Sequence, residues 1–208
     1  MTLDDALTEL PIVAIARGLQ PDEAAAHGEA FLAGGVRVLE VPLNSPQPLE
    51  SIRRLVDAMA GRMVIGAGTV LRAEDVDAVD HAGGTLIVSP DTNPAVIARA
   101  VELGLDPAPG FATATEAFAA IRAGARRLKL FPAVTYGHAH LKQLNAVLPP
   151  DVQVWAVGGV GPADLAGWRA AGATGFGIGS EIYRPGQTPA DSEARARAFA
   201  DAWRQATR

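Results

Sequence analysis

Apolar residues cluster along the chain in eight short runs, at 11–17, 37–43, 63–69, 86–90, 105–110, 127–132, 152–160 and 175–183. Most are near-continuous Val, Ile and Leu rather than alternating, the pattern of strands covered on both faces. Between them lie helical windows such as 21–32, 113–123 and 162–171. Two of these open on proline followed by acids, Pro21-Asp22-Glu23 and Pro162-Ala163-Asp164. Six helix-like segments end in an aliphatic residue and glycine: Ala33-Gly34, Ala60-Gly61, Ala82-Gly83, Leu103-Gly104, Ala123-Gly124 and Ala171-Gly172. Glycine just past a helix supplies the left-handed conformation that turns the chain back. These glycines are 27, 22, 21, 20 and 48 residues apart, and the long gap holds a seventh stop at Leu148-Pro149-Pro150. Alternation at this spacing predicts a parallel sheet with right-handed crossovers. Eight units favour closure into a (β/α)8 TIM barrel, an α/β fold with residues 1–208 as one compact domain, over an open doubly wound sheet. The arginine-rich stretch 191–208 predicts a terminal helix with a solvated face.

In such a barrel the useful polar side chains stand at the carboxyl ends of the strands. The second run holds Glu40 between Leu39 and Val41. Alternation puts it on the face of Val38, pointing into the barrel if the other face packs on helices. The sixth run holds Lys129 between Leu128 and Leu130. Burial of an ammonium is costly, and the same desolvation lowers its pKa and makes the amine a usable nucleophile toward carbonyls. A structural Glu–Lys ion pair is the alternative for both residues. The chain has two lysines in all. The second, Lys142, lies off the apolar face formed by Leu141, Leu144 and Leu148 and reads as a solvated surface residue.

The third run ends Gly66-Ala67-Gly68-Thr69, which places a hydroxyl at the rim or marks close packing. The seventh ends Val157-Gly158-Gly159-Val160 and the eighth Gly177-Ile178-Gly179-Ser180. Glycine-rich loops after the last two strands, with a following helix start, suit a phosphate dianion, although tight turns alone would also require glycine. Arg17, ending the first run, is placed either to clamp a carboxylate or to lie on the surface. His138 and His140 have no further ligand nearby in sequence, and His27 and His81 read as surface residues of helices. No metal site is predicted.

Composition narrows the class. A hydrophobic fraction of 49% with 20% charged residues is that of a globular chain with a sizeable core. No run is long enough to span a bilayer, and the acidic start, Met1-Thr2-Leu3-Asp4-Asp5, has no secretion-signal character, so a cytoplasmic protein is expected. A net charge of −5 without basic clusters argues against nucleic acid or an anionic membrane as partner. Zero cysteines exclude thiolate metal sites, iron–sulfur clusters and a cysteine nucleophile.

The residues carry a resemblance. Ala14-Ile15-Ala16-Arg17-Gly18, Leu39-Glu40-Val41-Pro42-Leu43-Asn44-Ser45-Pro46, Ile65-Gly66-Ala67-Gly68-Thr69-Val70, Pro109-Gly110-Phe111-Ala112-Thr113-Ala114-Thr115-Glu116, Leu128-Lys129-Leu130-Phe131-Pro132 and Ala156-Val157-Gly158-Gly159-Val160 occur in this order. Together they resemble the bacterial 2-keto-3-deoxy-phosphosugar acid aldolases, a class I family of (β/α)8 barrels, and among them the 6-phosphogalactonate branch. The resemblance implies Lys129 as Schiff-base lysine and Glu40 as general acid/base. It also implies Arg17, Thr69, Pro90 and Phe131 near the pyruvoyl end, and Gly158, Gly159 and Ser180 at the phosphate. It further implies a homotrimer, a phosphosugar acid and pyruvate as small-molecule partners, and no cofactor or metal. Gluconate-specific relatives follow the glutamate with Thr-Leu-Arg-Thr where this chain has Val41-Pro42-Leu43-Asn44-Ser45. Ala133-Val134, in turn, replaces the Ser-Ser of the galactonate branch. The expected reaction is cleavage of 2-dehydro-3-deoxy-6-phosphogalactonate to pyruvate and glyceraldehyde 3-phosphate. The alternatives are the phosphogluconate or 4-hydroxy-2-oxoglutarate reaction, a cofactor-free sugar-phosphate epimerase or isomerase, and a non-catalytic phosphosugar-binding protein.

Overall fold

In the computed structural model, which describes residues 1–207, every apolar run supplies a strand of one parallel sheet. The strands are β1 (Ile12–Ile15), β2 (Val38–Pro42), β3 (Val64–Gly68), β4 (Leu86–Val88), β5 (Asp106–Ala108), β6 (Gly110–Phe111), β7 (Arg127–Leu130), β8 (Gln153–Val157) and β9 (Gly175–Ile178). Their order is β5-β4-β3-β2-β1-β9-β8-β7-β6, and β5 and β6 are two pieces of one barrel strand. Pro107 and Pro109 explain the division. The Asp106 and Gly110 N–H groups donate to the β4 side, at Thr85 and Asp91. By alternation, the two prolines stand where N–H groups would face β7, and they have none to give. At the prolines the bonds run in the other direction, with Lys129 N–H donating to Pro109 C=O (2.8 Å), and Phe131 N–H donates to Phe111 C=O (3.2 Å) further on.

Helices α1 (Leu3–Glu9), α2 (Ala24–Ala33), α3 (Pro48–Met59), α4 (Ala73–His81), α5 (Pro94–Glu102), α6 (Ala114–Arg122), α7 (Ala133–Asn145), α8 (Leu165–Ala170) and α9 (Pro189–Ala206) complete the units. The terminal helix arises as expected, with Thr188 and Asp191 forming a capping box. At Gly61, Gly83, Gly104, Gly124 and Gly172 the predicted left-handed turn is present, but at Ala33-Gly34 the residue with positive φ is the next one, Gly35. The seventh helix, α7, ends at Asn145, just before the predicted stop, and is broken at Gly137 (φ 77°).

Two apolar clusters divide the interior. The larger lies between strands and helices and includes Leu39, Val41, Leu55, Phe31 and Phe176. The smaller fills the barrel, with Val13, Ile15, Val38, Val64, Leu86, Val88, Ala108, Trp155 and Val157 from the strands. Leu3 and Ala6 of α1 join that inner cluster, so this short helix stoppers the amino-terminal end of the barrel. Asp4 of α1 pairs with Arg127 at the start of β7, and Arg127 also bonds Asp106 (2.7 Å). No helix among the described residues is long and apolar enough to cross a membrane.

Candidate active site

The inner apolar cluster is interrupted near its carboxyl end by two charged side chains. Glu40 is 2% exposed and Lys129 is 6% exposed. Glu40 is in register with Ile15 of β1 and Gly66 of β3, and Lys129 with Gly110 of β6 and Trp155 of β8. They therefore reach the interior from different walls, and both line one small void with Val13, Val88, Trp155 and Val157. The inward direction read for Glu40 from its alternation with Leu39 and Val41 is what the strand adopts.

The two groups feel each other without being joined. Among the described residues no salt bridge links them, and Glu40 Oε2 has no hydrogen-bond partner. Burial pushes the Glu40 carboxyl up to about 7, a rise held in check by the charges of Lys129 and Arg17. Burial also lowers the Lys129 amine; Glu40 opposes this, and Arg17 adds to it. A structural ion pair, the bland alternative for these residues, would close that gap and give the carboxylate oxygen a partner. Here the amine lies 4.8 Å from the centroid of the Phe131 ring.

Glycine at position 68 makes the arrangement possible. A Cβ there would land on the Glu40 carboxyl, so the close-packing reading of Gly66-Ala67-Gly68 holds and its beneficiary is the carboxylate. The next residue, Thr69, is held at φ 57°, a conformation β-branched residues rarely adopt.

Above the two buried groups opens a cavity of about 500 Å³ at the carboxyl ends of the strands. Arg17, Thr69, Pro90, Lys129, Phe131, Gly158, Gly159 and Ser180 all line it, while Glu40 lies in the void beneath, with Lys129 common to both spaces. Arg17 donates to Asn44, another lining residue, and Gly18 N–H donates to Ser45 Oγ (2.9 Å), tying the loops after β1 and β2 together. Asn44 lies in the Leu39–Pro46 motif, and its place next to Arg17 comes from the fold.

At the opposite side of the mouth, two expectations change. The helix after β8 begins as a 3-10 turn, Pro162–Asp164, and Gly161 N–H donates to Asp164 Oδ2 (2.8 Å). The Gly161 N–H of that helix start is thus taken by the helix's own carboxylate. The last apolar run, 175–183, stops as a strand at Ile178, because Ile182 and Tyr183 N–H groups fold back onto Gly179 C=O. This turn carries Arg184 into the cavity lining, with its Nε on Ser180 C=O (2.9 Å). Sequence reading missed Arg184, which sits among turn residues past the last strand.

The remaining residues fall as follows. Lys142 is exposed, as is His81. His140 bonds Ala112 C=O (2.6 Å) and His138 meets Trp168 edge-on, so each ring has a packing role. His27 corrects the sequence reading: it is 1% exposed, wedged between α2 and α9, because its neighbours are Phe31, Tyr183 and Ser192 rather than water.

Comparison with known proteins places the chain among the aldolases, which are carbon–carbon lyases. The chain belongs to the KDPG and KHG aldolase family, whose model matches residues 3–194. It is 50% identical to the 2-dehydro-3-deoxy-6-phosphogalactonate aldolase of Escherichia coli (strain K12), over 96% of this chain and 97% of that one. It is 43% identical to the probable 2-dehydro-3-deoxy-6-phosphogalactonate aldolase of Rhizobium meliloti (strain 1021), covering 90% of this chain and 89% of the relative. A solved structure described as native KDPGal superposes with a TM-score of 0.94 at 50% identity, over 96% of this chain and 97% of that one.

Proposed function

We propose that this chain cleaves 2-dehydro-3-deoxy-6-phosphogalactonate to pyruvate and D-glyceraldehyde 3-phosphate, with Lys129 as the imine-forming nucleophile and Glu40 as the proton carrier. The observation that carries the reading is the pair itself: a buried amine and a buried, unpartnered carboxyl facing one void without an ion pair between them. Breaking a carbon–carbon bond beside a ketone leaves carbanion character that needs an electron sink. The neutral Lys129 amine attacks the C2 carbonyl, and loss of water leaves an iminium. Glu40 takes the proton of the C4 hydroxyl as the C3–C4 bond breaks. The bonding pair moves through C3 to the iminium nitrogen, giving an enamine and the free aldehyde. Glu40 then returns a proton to C3, water adds to the imine, and pyruvate leaves with the amine restored.

Arg17 serves the substrate carboxylate, with Thr69, Pro90 and Phe131 around the pyruvoyl end. Gly158, Gly159 and Ser180 hold the phosphate, and binding energy there aligns C4 with Glu40. The preference for the galactonate epimer is supported by the relatives so named and by Val41-Pro42-Leu43-Asn44-Ser45 after the glutamate. The whole of 1–208 acts as one domain, in a cytoplasmic homotrimer. Exposed Leu71, Val134 and Tyr136, in the segments after β3 and β7, are apolar surface that such an assembly would cover.

The deciding experiment measures pyruvate release from the galactonate and gluconate epimers, together with borohydride trapping of bound pyruvate. Faster release from the galactonate epimer and a reduced adduct on Lys129 are expected. Faster release from the gluconate epimer overturns the substrate, and an adduct confined to Lys142 overturns the site.

A further inference from the structure

Behind the mouth of the cavity, and outside it, lies a buried polar relay. His27 Nδ1 of α2 and Ser192 Oγ of α9 are 2.8 Å apart, and both residues are fully inside the protein. Gln187 Nε2 donates to Ser192 Oγ (2.6 Å) and to Ile182 C=O (3.0 Å), while Gln187 Oε1 accepts from Arg184 N–H (3.0 Å). Tyr183 packs edge-on against the His27 ring, centroids 5.2 Å apart. The three Gln187 bonds and the Tyr183 contact tie His27 and Ser192 to the segment 179–187, and Gly179, Ser180, Tyr183 and Arg184 of that segment line the cavity. Neither His27, Ser192 nor Gln187 does.

The arrangement is costly to build, since buried polar groups lose water and must recover its hydrogen bonds from one another. It also uses both faces of the Gln187 amide: two donated bonds and one accepted bond fix the backbone at 182 and 184 relative to two helices. Arg184 in turn grips Ser180 C=O through Nε. Pro185 lies against Gly18, where a Cβ would come within 2.7 Å of its Cγ, so this segment also borders the loop that carries Arg17. A segment with so much surface exposure would otherwise sample many conformations, and ligand binding would have to order it.

We infer that the His27–Ser192–Gln187 relay is a positioning element that presets segment 179–187, and with it the phosphate end of the substrate site, from outside the cavity. This rests on reading the 158–159 and 179–184 rim as the phosphate site. The relay does not touch the reacting atoms, so it acts on the capture of the phosphorylated partner and not on the imine chemistry at Lys129.

The test is the synthetic direction, with pyruvate as donor and either D-glyceraldehyde 3-phosphate or unphosphorylated D-glyceraldehyde as acceptor. Gln187→Glu keeps an acceptor for Arg184 N–H but sets oxygen against oxygen at Ile182 and removes the donor to Ser192 Oγ. Ser192→Ala removes one hydroxyl from a helix that is otherwise intact, and serves as the milder variant should Gln187→Glu fold poorly. In both, KM for glyceraldehyde 3-phosphate is expected to rise about tenfold, the worth of one hydrogen bond. The maximal rate, the kinetics with glyceraldehyde and the borohydride trapping of pyruvate are expected to stay within about twofold. An unchanged KM for the phosphorylated acceptor in Ser192→Ala overturns the inference, as does an equal loss on both acceptors. A wild-type enzyme with no preference for the phosphorylated acceptor instead overturns the phosphate reading of the rim, whatever the variants do.

Discussion

The floor and the rim of the cavity are built on opposite principles. The floor is made of side chains: Glu40 and Lys129 stand in an apolar barrel, and lack of water moves both of their pKa values toward neutrality. The rim is made of backbone and exposed groups: Gly158 and Gly159 at φ 97° and 74°, Ser180, and arginines at 17 and 184. Desolvation tunes reactivity, so it belongs where bonds break. A phosphate dianion is bound better by many weak donors in a site that water can leave and re-enter. The difference teaches that the two ends can be altered separately, with floor changes read in kcat and rim changes in KM.

Four substitutions sharpen or break that division. Lys129→Ala should cost at least about 10⁴-fold in turnover, since nothing else within the floor can form an imine. Circular dichroism and borohydride trapping check that the barrel remains and the adduct is lost. Glu40→Gln is expected to slow cleavage by about 10² to 10⁴ while still trapping pyruvate. With the carboxyl at about 7, wild-type kcat/KM rises with pH through that value. Below it Glu40 is protonated and cannot take the hydroxyl proton, and above it the carboxylate can. The neutral fraction of the lowered Lys129 amine also grows with pH. A Glu40→Gln profile with an undiminished inflection near 7 would remove Glu40 from the mechanism.

Gly68→Ala tests the floor from behind. The new methyl displaces the Glu40 carboxyl, which should cost about 10²-fold in kcat and about 1–3 kcal/mol in urea unfolding. Gly159→Ala is the smallest. A left-handed backbone and a Cβ 2.6 Å from Val134 Cγ1 cost about 1–2 kcal/mol of stability, with KM for the phosphorylated substrate rising less than about tenfold. A Gly159→Ala enzyme whose kcat fell as far as that of Gly68→Ala would show that floor and rim are coupled, and the division would fail.

What was legible in the sequence follows the same line. A charged residue within an aliphatic strand is conspicuous, so Glu40 and Lys129 could be picked out, and the burial of both follows from the runs around them. The repeating glycine stops exposed the eight-fold alternation. Less was visible where meaning depends on a partner from elsewhere in the chain. Gly68 is informative only once Glu40 is beside it, and Asn44 only once Arg17 is. His27 sits in an alanine-rich helix with nothing local to say that α9 will cover it. Arg184 lies in a turn that apolar patterning extended into the last strand, because Ile182 and Tyr183 are buried without being in a sheet. The α1 stopper escaped notice because seven residues are too few for a periodic signal, although Thr2 and Asp5 form its capping box.

That stopper has a kinetic corollary. With Leu3 and Ala6 plugging the far end, the cavity at the carboxyl ends of the strands is the doorway to the buried floor. On the proposed chemistry, the aldehyde fragment lies nearest that opening and departs first, and the water that cuts the three-carbon piece from Lys129 follows along the vacated path. Release would then be ordered by architecture as well as by covalency.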